Sequence, residues 1–184
     1  ISHRLASSSG RYGLRRAGDW ILVVAPDAPE HLVIAALLHD MERKVPGGAV
    51  LDMATVPWDD PTYNDAHTGR SAVIVPEWLR EHGASEELAA AVAQPIREPE
   101  FGGSPAGDLM QAADSISFLE TNDALVAGWA TRGMCSVGKA REKLLWMGDR
   151  VRHPGGRKIA LNYQRRSLES FENLVERRSE DDRR

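Results

Sequence analysis

The chain has little cysteine and little net charge, and each shortage excludes a class of protein. Cys135 is the one cysteine among 184 residues, so an internal disulfide is excluded and a reducing compartment is favoured. Its neighbours form no motif of a reactive thiol, and we expect Cys135 to be a packed core residue rather than a nucleophile. The formal net charge of −4 and the isoelectric point near 5.9 argue against a broad nucleic-acid or membrane-surface interface.

Long hydrophobic runs are also absent. No apolar stretch approaches the roughly 20 residues that a membrane-spanning helix needs. Apolar residues make up 42% of the chain and charged residues 27%, which is typical of a globular domain with one core. We therefore expect a cytoplasmic protein with no membrane partner. Nucleic acid is disfavoured as a partner, and a homodimer is left open.

Hydrophobic periodicity predicts helices along nearly the whole chain and no strand. The expected helices cover about residues 12–24, 62–82, 85–95, 105–121, 123–131, 136–151 and 157–177. A further helix begins after Asp27, with Pro29 in its first turn. It carries His39 and Asp40 near its end, before Pro46 and two glycines stop it. The expected fold class is therefore all-α.

These helices are expected to form one domain over residues 1–176, with a core at about 12–122 and additional C-terminal helices at 123–176. Residues 177–184 contain no apolar side chain and predict a disordered tail. The sequence between residues 46 and 60 has no sustained period. Such a long loop, directly after the His-Asp pair, favours a lid or substrate loop, with a plain surface excursion as the alternative.

The pair His39-Asp40 ends an apolar run and predicts two metal ligands. An imidazole nitrogen beside a carboxylate suits a divalent transition metal. Asp114 is the strongest candidate for a third ligand, because it lies among small and apolar residues on a helix that is expected to be buried. A lone carboxylate is unfavourable there unless it is paired or binds a cation. The alternative for Asp114 is a position on the helix surface.

Two other groups of residues have candidate roles in binding. His67 and Arg70 lie one turn apart near the start of the helix at 62–82, and Arg70 offers a bidentate contact to phosphate. Taken without its context, a histidine at this position is more often an exposed polar residue, and this is the alternative for His67. Basic residues between 146 and 167, Arg150 among them, could contact a nucleotide or RNA together with Tyr163. Interspersed glutamates favour a solvent-exposed helix pair instead.

The order of these motifs resembles that of the HD-domain superfamily of metal-dependent phosphohydrolases. The matching residues are Ala35-Ala36-Leu37-Leu38-His39-Asp40, then His67, then Ala112-Ala113-Asp114-Ser115-Ile116. The resemblance covers about residues 1–122. A second and weaker resemblance is to a poorly characterised HD-like bacterial family and implies no activity. It rests on Lys139-Ala140-Arg141-Glu142-Lys143 and Arg157-Lys158-Ile159-Ala160.

The resemblance implies one divalent transition metal, Mn, Fe, Co, Ni or Zn, held by His39, Asp40, Asp114 and a histidine of the first helix. His3 is the candidate for that histidine. If the first helix begins near residue 12, Tyr12 stands at this position instead.

Residues that follow the pair are implied to take part in the reaction. Glu42 would orient or deprotonate the attacking water, and Arg43 would hold a phosphate oxygen. Lys44 and Arg70 would bind substrate. His67 would bind substrate, protonate the leaving oxygen or hold a second metal. For residues 42–44 the alternative is a solvent-exposed, charged helix end.

The expected function is hydrolysis of a small phosphate ester, with nucleotides the favoured class, by metal-activated water. Two alternatives stay open. A di-iron oxygenase of this superfamily needs more histidine ligands, and Gln94, a poor ligand, stands where such enzymes carry one. A non-catalytic HD-like binding protein follows if the ligand set is incomplete.

Overall fold

Helices make up the regular structure of residues 9–181, which are the residues that the computed structural model describes; side-chain surroundings are described for residues 16–178. Over this part of the chain there are eight α-helices and one short 3-10 helix, and no strand. The α-helices are α1 (Ser9–Val24), α2 (Glu30–Leu38), α3 (Pro61–Glu81), α4 (Glu86–Ile96), α5 (Pro105–Thr121), α6 (Asp123–Thr131), α7 (Val137–Asp149) and α8 (Pro154–Asp181). The 3-10 helix is Met41–Lys44. The all-α fold expected from the sequence is confirmed.

Side-chain caps determine where several helices begin. Ser85 Oγ accepts a hydrogen bond from the backbone N–H of Leu88 at 3.2 Å, so α4 begins directly after this serine. Asp60 Oδ1 accepts from the backbone N–H of Tyr63 at 2.7 Å and has the same effect on α3. Each cap satisfies an N–H that the helix cannot pair internally. These serine and aspartate positions make helix boundaries readable from the sequence.

Two adjoining clusters of buried side chains form the core. The first lies mainly among α1 to α5 and contains Ile21 and Ile116. The second lies among α5 to α8 and contains Phe171. Tyr163 of α8 packs against both clusters, and its ring meets that of Trp20 edge-on at 5.5 Å. The helices on both sides therefore pack as one domain, and α5 runs between them.

Three details differ from the expected helices. The helix α2 ends at Leu38, so His39 and Asp40 lie in the turn that follows it rather than within it. It begins at Glu30 with no side-chain cap, and not directly after Asp27. The helix α8 continues to Asp181, so residues 177–181, expected to be disordered, are helical, and residues 182–184 lie outside the described part. Arginine and glutamate are good helix formers, which explains the extension of α8 without apolar contacts.

Within residues 9–181, none of the helices combines the length and the apolar character needed to cross a membrane.

Candidate active site

A cavity of about 520 Å³ opens where the turn after α2 faces α5 and α7. His39, Asp40 and Asp114 line it together, although 75 positions separate His39 from Asp114 in the sequence. We refer to these three residues as the floor of the cavity. The walls are apolar and come from the loop at 45–60 and from α5, α6 and α7; they include Val50, Leu51, Met53, Trp58, Phe118, Leu125, Trp129 and Met147. The structure thus brings together three of the four residues expected to bind metal.

Both ring nitrogens of the buried His39 face acceptors. Nδ1 lies 2.8 Å from the carbonyl oxygen of Ala36, one turn earlier on α2. Nε2 lies 3.2 Å from Asp114 Oδ1 and 3.9 Å from Asp40 Oδ1. A neutral imidazole has only one N–H, and with Nδ1–H donated to Ala36 the lone pair on Nε2 points at the carboxylates. A proton or a metal ion on Nε2 is therefore favoured.

The electrostatics of the floor agree with this geometry. Burial lowers the pKa of His39, but the carboxylates of Asp40 and Asp114 outweigh burial and raise it to about 9. Burial raises the pKa of Asp114, and His39 and Arg150 more than offset this, so the pKa lies below its ordinary value. The pKa of Asp40 is also held well below its ordinary value, because Arg43 and His39 outweigh burial. The two carboxylates are thus ionised acceptors.

His67 is buried on α3, with 1% of its side chain exposed. Its Nδ1 lies 2.6 Å from Glu42 Oε1 and its Nε2 lies 2.9 Å from Asp40 Oδ1. With Nδ1–H donated to Glu42, Nε2 and the Asp40 oxygen are two acceptors that repel unless a cation contacts both. Arg43 is that cation, since its Nη2 is 3.2 Å from His67 Nε2 and its Nε is 2.9 Å from Asp40 Oδ1. Arg43 therefore takes the place expected for a second metal.

Glu42 and Arg70 lie behind His67 and do not line the cavity. Glu42 is 2% exposed, and its Oε2 accepts from Arg70 Nη1 at 3.2 Å. The guanidinium of Arg70 also donates to the carbonyl oxygens of Val45 and Pro46, at 3.1 and 2.6 Å. The roles expected for Glu42 with water and for Arg70 with substrate do not match these positions. Glu42 instead orients His67, and Arg70 fastens the start of the loop at 45–60.

Arg150, at the end of α7, is paired with the floor residue Asp114 without lining the cavity itself, and the sequence did not indicate this. Its side chain is 5% exposed, and its guanidinium pairs with Asp114 Oδ2, with Glu100 Oε2 at 2.5 Å and with Ser115 Oγ at 2.9 Å. The expected solvent-exposed helix pair is therefore wrong for this residue. Its Cζ also lies 4.3 Å from the ring centroid of Trp146, four positions earlier on α7. That aromatic-to-arginine spacing is the one signal that sequence reasoning could have used.

Lys143 belongs to the cavity wall, although the sequence did not indicate that it is functional. Its Nζ lies 5.4 Å from the ring centroid of Trp58, 5.2 Å from that of Phe118 and 4.2 Å from that of Trp146. Burial lowers its pKa to about 8, and the nearby Glu100 offsets this only in part. The ammonium group thus faces the cavity from a cage of aromatic rings.

The loop at 45–60 covers one side of the cavity and is fastened at both ends. Arg70 holds its start through the carbonyl groups described above. Trp58 holds its end, because its Nε1–H donates to the carbonyl oxygen of Lys139 at 2.9 Å and its own carbonyl accepts from Asn64 at 3.2 Å. Lys44 lines the cavity next to Arg43, where it was expected to bind substrate. The sequence prediction of a loop over the site agrees with this placement.

The donor atoms of His39, Asp40 and Asp114 are of the kinds found at divalent transition-metal sites, imidazole nitrogen and carboxylate oxygen. Two ligands of one metal, each bound at about 2.1 Å, lie roughly 3.0–3.5 Å apart. His39 Nε2 and Asp114 Oδ1 meet this condition at 3.2 Å, and Asp40 Oδ1 exceeds it by a few tenths at 3.9 Å, engaged by Arg43. In the described part of the chain, no three His, Cys, Asp or Glu side chains already form a group that could hold a metal.

The remaining candidate residues lie elsewhere. His3 is outside the described residues. Gln94 is exposed and lines a separate hollow with His31. Cys135 is buried in the second core cluster, where burial raises the pKa of its thiol, as expected of a packed residue.

No family model, curated protein or solved structure matches this chain. The resemblance to the HD superfamily therefore rests on the motifs quoted above.

Proposed function

We propose that the protein is a metal-dependent phosphohydrolase that acts on a small phosphate ester, with nucleotides as the favoured class. The observation that carries this proposal is the environment of His39. Its Nδ1 is held by Ala36, and its Nε2 faces Asp114 and Asp40 at 3.2 and 3.9 Å. A backbone acceptor on one ring nitrogen, which leaves the other nitrogen directed at carboxylates, is typical of a metal-binding histidine.

His39, Asp40 and Asp114 would hold one divalent transition metal. When bound at such a site, a metal ion lowers the pKa of a water molecule and polarises a phosphoryl oxygen. One ion rather than two is proposed, because the guanidinium of Arg43 already contacts both Asp40 and His67. This contact also argues against the di-iron oxygenase alternative.

The side chains around the floor have distinct roles in this proposal. Arg43 and Lys44 line the cavity beside Asp40 and offer N–H donors to phosphate oxygens. The aromatic walls, Trp129 and Phe118 among them, accommodate the organic part of the ester and limit the access of bulk water. His67 is a positioning residue, since it contacts Asp40 and Arg43 but does not line the cavity.

A non-catalytic binding protein is the second candidate, and one observation favours it. Arg43 and Arg150 already neutralise the carboxylates of Asp40 and Asp114. On that view the floor is a complete network of ion pairs, and the cavity binds an anion without metal.

Metal content separates the two candidates. The parent protein, purified without chelator and then loaded with Mn, is compared by mass spectrometry of the metals with the double variant His39→Ala/Asp40→Ala. The matched control is His82→Ala/Asp65→Ala, which removes the same residue types from the exposed surface. We expect about one equivalent of metal in the parent and the control and none in the site variant. A parent that takes up no metal contradicts the hydrolase.

A metal-loaded parent is then assayed for phosphate release from p-nitrophenyl phosphate and nucleoside monophosphates. Activity that the site variant lacks supports hydrolysis. Metal uptake without release from any of these esters argues against hydrolysis of this substrate class.

A further inference from the structure

Lys143 presents a half-buried cation to the cavity without a carboxylate partner. No Asp or Glu of residues 16–178 forms an ion pair with it, whereas its neighbour Arg150 pairs with both Glu100 and Asp114. Its ammonium group instead lies against the faces of three rings, those of Trp58, Phe118 and Trp146. The nearest polar environment open to it is the cavity itself, which it lines.

Aromatic faces replace only part of the hydration that an ammonium group loses on burial. An apolar residue at position 143 would avoid the free-energy cost of removing a charge from water. The charge of Lys143 therefore has no evident role in stabilising the fold. An anion that enters through the cavity would supply the missing counter-charge. The ammonium group of Lys143 lies within electrostatic range of the floor, because it interacts through charge with Asp114, Glu100 and Arg43. The anion would therefore lie close to a phosphate bound there.

We propose that Lys143 binds a second anionic group of the substrate. The substrate class is then an organic phosphate that carries another phosphate or a carboxylate within a few bonds of the first. Its apolar part would lie against Trp58 and Trp129, which stack on each other at 5.8 Å in the same wall. This inference rests on the proposed function only in placing the first phosphate at the floor.

The test uses three probes with the full chain: inorganic phosphate, pyrophosphate, and phosphonoacetate, in which a carboxylate replaces the second phosphate. Each is titrated calorimetrically into Mn-loaded protein in a buffer that contains Mn, and the heat of the same probe in that buffer without protein is subtracted. The variants are Lys143→Met, which keeps the length and removes the charge, and Lys143→Arg, which keeps the charge. The control is Lys139→Met. Its ammonium lies 5.5 Å from the same Trp58 ring but pairs with Glu142 and does not line the cavity.

We expect the parent to bind pyrophosphate, phosphonoacetate or both about tenfold more tightly than phosphate. Lys143→Met should lose this preference while Lys143→Arg and Lys139→Met retain it, and circular dichroism should show the same helix content in all. The tighter of the two probes identifies the second group as phosphate or carboxylate. Equal binding of all three probes by the parent overturns the inference, as does an undiminished preference in Lys143→Met or no binding of any probe.

Failure of this inference is distinguishable from failure of the proposed function. A protein that takes up one metal but shows no preference for the probes with two anionic groups remains a candidate hydrolase with another role for Lys143. A protein that binds pyrophosphate through Lys143 but takes up no metal is an anion-binding protein. The metal assay and the titration therefore give separate answers.

Discussion

Replacement of Glu42 by alanine tests whether the network behind the cavity stabilises the fold. Glu42 is 2% exposed, and its two oxygens lie 2.6 Å from His67 Nδ1 and 3.2 Å from Arg70 Nη1. Removal of one partner of a buried ion pair costs about 3–5 kcal/mol, because the remaining charge is left unpaired. Arg70 is 27% exposed, so water compensates it in part. We therefore expect the lower end of this range, a loss of about 3 kcal/mol in the free energy of unfolding.

For a chain of this length, 1 kcal/mol shifts Tm by about 2–4 °C, so Glu42→Ala should melt about 6–12 °C below the parent. Glu42→Gln should lose less, because the amide oxygen still accepts the N–H of His67. Both are measured by urea unfolding and by thermal denaturation followed by circular dichroism. The matched control is Glu86→Ala. Glu86 binds Arg80 at 2.6 and 2.7 Å but on the exposed surface, so no measurable loss is expected. Equal effects of the two alanine variants would refute the reasoning.

Three further predictions concern the charges of the floor. Arg43→Gln should raise the metal content from about one equivalent to about two, because it removes the cation that contacts Asp40 and His67 and leaves imidazole and carboxylate donors facing each other. An unchanged stoichiometry would contradict the inference that Arg43 excludes a second ion. The pKa of His39 is raised from 6.5 to about 9, so in chelator its protonated ring stabilises the fold fully below pH 6.5, and this stabilisation is lost as the pH rises to about 9. His39→Gln should flatten that part of the curve of unfolding free energy against pH, measured with urea, and an identical curve would contradict the prediction. Arg150→Met removes the arginine that pairs with Asp114 and Glu100, leaves Asp114 with His39 alone, and should cost about 3 kcal/mol, part of which Mn should restore. A Mn-induced rise in Tm no larger than the parent's would argue against metal on Asp114.

Much of the fold was predictable because helix signals are local. The periodicity of apolar residues and the serine or proline at helix starts led to the expected helices at 85–95 and 105–121. The structure has Glu86–Ile96 and Pro105–Thr121. The same local reasoning does not determine where a helix stops. The turn after Leu38 and the continuation of α8 to Asp181 depend on packing and on propensity summed over many residues.

The floor was predictable because its residues conflict with their surroundings. A carboxylate among small apolar residues, as at Asp114, needs a partner, and the structure brings it next to His39. Arg150 and Lys143 gave no such signal. Both lie in a stretch of sequence rich in charged residues, for which solvent exposure is the ordinary outcome. The placement of both side chains depends on α7 packing against α5, two helices that α6 separates in the sequence.

The helices beyond residue 122 are part of the site and not an addition to it. Asp114 is contributed by α5, but its Oδ2 is paired by Arg150 at the end of α7, which leaves Oδ1 directed at His39. Lys143 of the same helix provides the unpaired cation of the cavity wall. The sequence motifs that resemble those of HD proteins end near residue 122, so these motifs supply the floor and α7 supplies charges around it. Selectivity for substrate is therefore expected to reside in α7, outside the segment that carries the resemblance.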